Sequence, residues 1–144
     1  MKIVLQRVTS ASVTVDGVII GQIEKGFLLL LGVGHDDTED DCRRLADKII
    51  GLRIFSDEND KINLNLESVG GSILVVPQFT LYADCRKGNR PNFIQAAKPD
   101  EANRLYEYFV EYLRERGQHV ETGSFSADMK VQLLNDGPFT IVLE

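Results

Sequence analysis

At 144 residues, 43% of them hydrophobic and 26% charged, the chain matches one folded domain and not a disordered, repetitive or low-complexity segment. A formal net charge of −6 argues against a general nucleic-acid binder, DNA above all, while allowing a local basic patch. The longest apolar run, Phe27 to Val33, falls far short of the roughly 20 residues a membrane span needs. The two cysteines, Cys42 and Cys85, predict free thiols, and the two histidines, His35 and His119, stand too far apart to announce a metal site. The expectation is one domain, residues 1–144, in the cytoplasm, with no membrane association, metal or cofactor.

Val4, Val8, Val13 and Val15 lie in β-branched, partly alternating runs, and "VDG" before "VIIGQI" signals a hairpin turn. "GFLLLLGVG" has the continuous hydrophobicity of a strand covered on both faces. "HDDTEDDCRRLADKIIGL" then predicts a helix capped by Asp37 or Thr38, with acids in its first turn and an apolar stripe of Leu45, Ile49 and Leu52. The acid cluster lacks the spacing of a calcium loop. "RIF" and "INLNL" read as short strands around the turn "SDENDK", with Ile62, Leu64 and Leu66 alternating against asparagines. "SVGG" turns into the next strand.

A second helix begins at Pro99, a favoured first-turn proline, buries Ala102, Leu105, Phe109 and Leu113, and stops at Gly117. Tyr106, Tyr108 and Tyr112 have the helical spacing of amphipathic rim residues more than of an RNA-stacking platform. The chain closes with "MKVQLL", a turn at "NDGP" and "FTIVL". Strands at both ends, helices between and no strict β-α-β alternation predict an α+β fold: a mixed, largely antiparallel, curled or barrel-like sheet carrying two main helices.

Two stretches resist a plain strand reading. In "VVPQFTLYADCRKGNRPNF", Pro77 cannot donate a ladder hydrogen bond, Gln78 and Thr80 bring polar groups, and a basic loop with Arg86, Lys87 and Arg90 follows. In "LLNDGPFTIVL", Gly137 and Pro138 interrupt a hairpin, and a Gly-Pro step is cheaper than other peptide bonds to place in cis. Neither stretch contains a histidine or carboxylate suited to activate Thr80 as a nucleophile. Cys85 beside Arg86 is a second candidate nucleophile, likewise without a base.

"PQFTLYAD" and "NDGPFT" together resemble the two signature motifs of the D-aminoacyl-tRNA deacylases. "QRV", "GVGHDDTEDD", "ADKI", "LRIF", "RKGNRP" and "ETGSFSADM" follow that family's order along essentially the whole chain. The resemblance implies hydrolysis of the ester joining a D-amino acid, or mischarged glycine, to the terminal adenosine of tRNA. It further implies a homodimer in which Gly137 and Pro138 of one subunit, in cis, gate the other's pocket. Gln78, Phe79 and Thr80 match the pocket floor and catalytic positions.

On that reading Phe79 and Thr80 offer backbone N–H groups at a strand end to the developing oxyanion. Either Thr80 attacks, or water attacks with help from the substrate's ribose 2′-hydroxyl; the missing base favours water. Arg7, Arg86, Lys87 and Arg90 are the cations expected to grip the tRNA acceptor end. Two positions depart from the commoner bacterial pattern: Pro77 stands for serine and Phe139 for valine. A related animal branch with relaxed chirality shares the proline but has alanine where Phe79 stands here. A non-catalytic tRNA-end binding module is the alternative of another class.

Overall fold

In the computed structural model, which describes residues 1–144, strand β1 (Lys2–Val15) is the axis on which the sheet is assembled. Asp16 and Gly17, both at positive φ (49° and 78°), form the expected tight turn. Strand β2 (Val18–Ile23) returns antiparallel with Val18 opposite Val15. Strand β3 (Gly26–Gly32) runs antiparallel along the first half of β1, with Leu29 opposite Leu5. Helix α1 (Glu39–Gly51) starts from Thr38, whose backbone N–H donates to the Asp41 carboxylate at 2.9 Å. Cys42, Leu45, Ala46 and Ile49 are its buried face, and Leu52 lies one residue past its end.

A small hairpin of β4 (Phe55–Ser56) and β5 (Ile62–Leu64) follows. The alternation expected there is only partly realised. Leu66 is buried, but Ile62 is 58% exposed, because this two-stranded hairpin pairs outside the main sheet. Strand β6 (Ser72–Pro77) then lies parallel to β3. Helix α2 (Pro99–Glu115) leads to β7 (Val120–Thr122), parallel to β6, and β8 (Lys130–Leu143) closes the chain antiparallel to β1.

The strand order is β2-β1-β3-β6-β7, with β8 on the other edge of β1. The order is mixed, as expected, and its ends curl together. A Cβ on Gly21 of β2 would lie 2.5 Å from the carbonyl oxygen of Thr122 in β7, so only glycine permits this approach. The nearly closed sheet thereby acquires two cores. Leu28, Leu74 and Val76 join Val8, Ala11, Val13 and Ile23 inside the curl. Leu29, Leu31, Ile73 and Val75 face the other way, under Leu45 and Ile49 of α1 and Leu105 and Phe109 of α2. Burial on both faces accounts for the unbroken apolar run of β3, each such leucine stabilising the fold by about 2 kcal/mol.

Two expectations change. "NDGP" is not a hairpin turn: β8 is one strand of 14 residues, and its register against β1 slips around Arg7, between Gln6–Thr140 and Val8–Asn135. Extra residues on an edge strand are absorbed as a bulge without reversing the chain. Tyr106 is not a rim residue. It is 5% exposed and donates its hydroxyl to the Val75 carbonyl at 2.8 Å. Tyr108 and Tyr112 do keep to the rim, hydrogen-bonded with Arg43 and Asp47 of α1.

Candidate active site

The site grows from the point where β6 runs out. Leu31 of β3 is the register partner of Pro77 and accepts the Gln78 N–H at 2.8 Å. An extended strand end is expected at Phe79 and Thr80, but the chain instead winds into a 3-10 turn over Phe79–Tyr82. Of its bonds, the opening one runs from the Leu81 N–H to the Gln78 carbonyl (3.3 Å) and the closing one from the Ala83 N–H to the Thr80 carbonyl (3.0 Å). The N–H groups of Phe79 and Thr80 precede the first of these and fall among the orphan donors at the start of a helical turn. Gln78 Nε2 donates to Thr80 Oγ1 at 2.5 Å, which leaves the Thr80 hydroxyl hydrogen free for another acceptor.

Beside this turn is a cavity of about 300 Å³. Pro77, Gln78 and Phe79 line it together with Leu31, Val76, and Ala102 and Tyr106 of α2. The lining also includes the segment from Phe125 to Met129, part of the "ETGSFSADM" stretch, none of whose residues carries an expected role. Met129 is fixed there by its sulfur, which accepts the Ser124 N–H at 3.3 Å. Ser126 and Asp128 are the segment's only polar side chains and both are exposed, and neither composition nor spacing singles the segment out. Burial raises the Tyr106 phenol above its usual range and keeps it a neutral donor.

Asp128 is the one carboxylate on the lining, and it is exposed and paired with Lys130 at 3.2 Å. Thr80 is exposed at the lip and not part of the lining. Cys85 is exposed and lies outside the cavity, while burial pushes the Cys42 thiol up to about 12. No three His, Cys, Asp or Glu side chains gather into a cation-binding group.

The Gly137–Pro138 peptide bond is cis, and both residues are exposed. Neither lines the cavity of its own chain. They sit in the β8 bulge, where Asn135 Oδ1 accepts the Phe139 N–H at 2.7 Å and Asn135 Nδ2 donates to Thr140 Oγ1 at 2.9 Å. Arg7 is placed differently from the other expected tRNA-binding cations. Its side chain is 11% exposed, donates to the carbonyls of Ile54 (2.6 Å) and Asp136 (3.0 Å), and lies 4.8 Å over the Phe139 ring. Through Nε and Nη1, Arg7 braces the bulge.

The loop cations are at the surface. Arg86 forms a fork onto Asp84 (2.9 and 2.7 Å), which holds that carboxyl down at about 2. Lys87 and Arg90 are exposed and enter none of the chain's ion pairs.

The family model described as D-Tyr-tRNA(Tyr) deacylase matches residues 4–144. The chain belongs to the D-aminoacyl-tRNA deacylase family. It is accordingly a hydrolase. Among the deacylase family's curated members, one from Bacillus cytotoxicus is 58% identical over 144 residues, 100% of this chain and 99% of the relative. One from Rhodopirellula baltica is 59% identical over the same shares; both are named D-aminoacyl-tRNA deacylase. Among solved structures, a protein named c-Myc DNA unwinding element binding protein is 42% identical with a TM-score of 0.93, covering 100% of this chain and 98% of its own. A probable eukaryotic D-amino acid tRNA deacylase, 19% identical over 99% and 97% of the two chains with a TM-score of 0.87, shares the fold.

Proposed function

We propose that this enzyme hydrolyses the ester of D-aminoacyl-tRNA, and of glycine mischarged onto a non-cognate tRNA, releasing the amino acid and free tRNA. The observation that carries the reading is the 3-10 turn at the cavity lip, which offers the Phe79 and Thr80 N–H groups beside an apolar cavity. An ester carbonyl under attack gathers negative charge on oxygen, and two fixed N–H donors stabilise it without a charged side chain. Losing one such donor costs about 3 kcal/mol of barrier. Water is the nucleophile and the substrate's 2′-hydroxyl assists it, since Thr80 has no base within hydrogen-bonding reach. A Thr80→Ala variant that folds and binds normally but does not turn over would defeat this mechanism.

The working unit is a homodimer. Strand β8 has an unpaired outer edge, Leu134 and Val142 on it are 57% and 63% exposed, and the Gly137–Pro138 step lies away from its own cavity. A second subunit covering β8 carries that step to its neighbour's cavity, where its backbone occupies the space an L side chain needs. Glycine, with no side chain, passes this exclusion. The acceptor end of the tRNA is held by Lys87 and Arg90, with Arg86 alongside, as a small positive patch on an acidic protein. The net charge of −6 gives no support in this chain to the DNA binding for which the 42% identical protein is named.

The deciding experiment is a time course of D-Tyr-tRNA, L-Tyr-tRNA and glycine mischarged to a non-cognate tRNA, with and without chelator. Loss of the D and glycyl esters with the L ester spared is expected. Hydrolysis of both enantiomers would keep the esterase and remove the gate, pointing to Pro77 and Phe139. Tight binding without hydrolysis would leave a tRNA-end binding module.

A further inference from the structure

Phe79 and Phe93 meet edge to face, ring centroids 5.0 Å apart at 69°, yet they remain 55% and 38% exposed. Ile94 beside them is 71% exposed. A pair serving only the core would be covered, as Phe27 and Phe55 are. The backbone under Phe93 is anchored: the Ala97 N–H donates to Val33 at 2.9 Å, and the His35 side chain is hydrogen-bonded to the Ile94 carbonyl. The basic loop also ends here. Asp84 and Asn92 exchange backbone hydrogen bonds of 2.8 and 3.1 Å, so residues 85–91 leave and return at one point, and Phe93 is the next residue. Arg86 is neutralised by Asp84, which leaves Lys87 and Arg90 as the free cations of the loop.

We propose that Phe93, supported by Phe79, is a stacking platform for the penultimate base of a single-stranded RNA 3′ end, with Lys87 and Arg90 on the adjoining phosphates. The inference rests on the deacylase reading. The terminal nucleoside is fixed by its ester, which lies against the Phe79 and Thr80 N–H groups. The Phe93 ring adjoins the Phe79 ring at 5.0 Å and follows directly on the basic loop, so the next base along the strand is the one that reaches Phe93. An exposed aromatic beside free cations is the combination that binds single strands, and because every base has a π-face it adds affinity without base preference.

The test uses two non-hydrolysable ligands with a 3′-amide in place of the ester: a D-aminoacyl adenosine, and a D-aminoacyl RNA trinucleotide ending in C-C-A. Dissociation constants are measured calorimetrically for the full protein and for Phe93→Leu, which keeps apolar bulk against Phe79 but has no π-face. The trinucleotide binds the natural protein more tightly than the nucleoside does. Phe93→Leu weakens the trinucleotide about tenfold and leaves the nucleoside unchanged. Equal weakening of both ligands would overturn the proposal, since Phe93 would then act through Phe79 or on the terminal adenosine. So would no weakening, or a shift of the subunit equilibrium in sedimentation, which would make the patch a protein contact. Binding of neither ligand by the natural protein would defeat the deacylase reading itself.

Discussion

Each proline-bearing stretch interrupts a strand, and the two interruptions end differently. Pro77 is the last residue of β6, paired with Leu31 of β3 but beyond β7, whose register reaches only to Val75, and there the strand stops and coils into the turn of Phe79–Tyr82. Pro138 sits in β8, which pairs with β1 alone, and there the strand continues past it. A strand end that has outrun one neighbour can spare the N–H a proline lacks, and an edge strand paired on one side can absorb the loss in a bulge. The consequence is a division of labour. The inner proline frees backbone donors at a cavity, and the outer one presents a rigid step on an exposed edge.

The sharpest way to break this comparison is to remove what holds the outer stretch. Arg7→Ala strips two hydrogen bonds from the Ile54 and Asp136 carbonyls and the cation over Phe139. A loss of about 3 kcal/mol is expected, read as a lower urea midpoint at unchanged slope. Arg7→Lys recovers only part of it, because an ammonium cannot span both carbonyls. If the bulge is the chiral gate, L-Tyr-tRNA also begins to be hydrolysed. Lost stability with discrimination intact would separate Arg7 from the gate.

The inner stretch has its own support. A Cβ on Gly34 would meet the Tyr82 ring at 2.9 Å, and Tyr82 ends the turn that carries Phe79 and Thr80. Gly34→Ala therefore overpacks the turn, at about 2 kcal/mol. Its kinetic effect should appear in kcat, through displaced donors, with the preference for the D ester unchanged. A change in preference instead would mean that the two stretches are not independent. Asn135→Ala is milder. It removes the acceptor for the Phe139 N–H, at about 1 kcal/mol, and Asn135→Asp retains that acceptor and most of the stability.

How much of this was legible depended on the range of the signal. The opening hairpin was written in "VDG", the first helix in "TEDD" and the second in Pro99 and its apolar stripe, all within a few residues. The β8 bulge was not, because "NDGP" has the composition of a hairpin turn. Only pairing with β1, more than 120 residues away in sequence, keeps the strand straight. The same holds for Arg7, whose charge suggested the surface until Ile54, Asp136 and Phe139 were seen around it. Gln78 and Thr80 stood out as polar residues at a strand end, whereas Met129 and Phe125 carried no chemical mark and needed the folded cavity to be noticed.

The smallest expected effect concerns the root of the basic loop. Arg86 donates two hydrogen bonds to the Asp84 carboxylate, and its backbone N–H adds a third at 3.1 Å, so the carboxyl stays ionised down to about pH 2. A carboxyl depressed in the folded state favours folding above its unfolded range, and that contribution is lost as pH falls through the folded value. Asp84 should therefore titrate at about 2 in a carboxyl-carbon NMR experiment. Arg86→Gln should raise it only part of the way back, because the backbone N–H of residue 86 still donates to the carboxylate. Because the pair faces solvent, Asp84→Asn should leave the urea midpoint at neutral pH nearly unchanged. It also frees the Arg86 guanidinium for phosphate, so RNA binding should tighten slightly and become more salt-sensitive; weaker binding would mean that Asp84 shapes the loop instead of masking a charge.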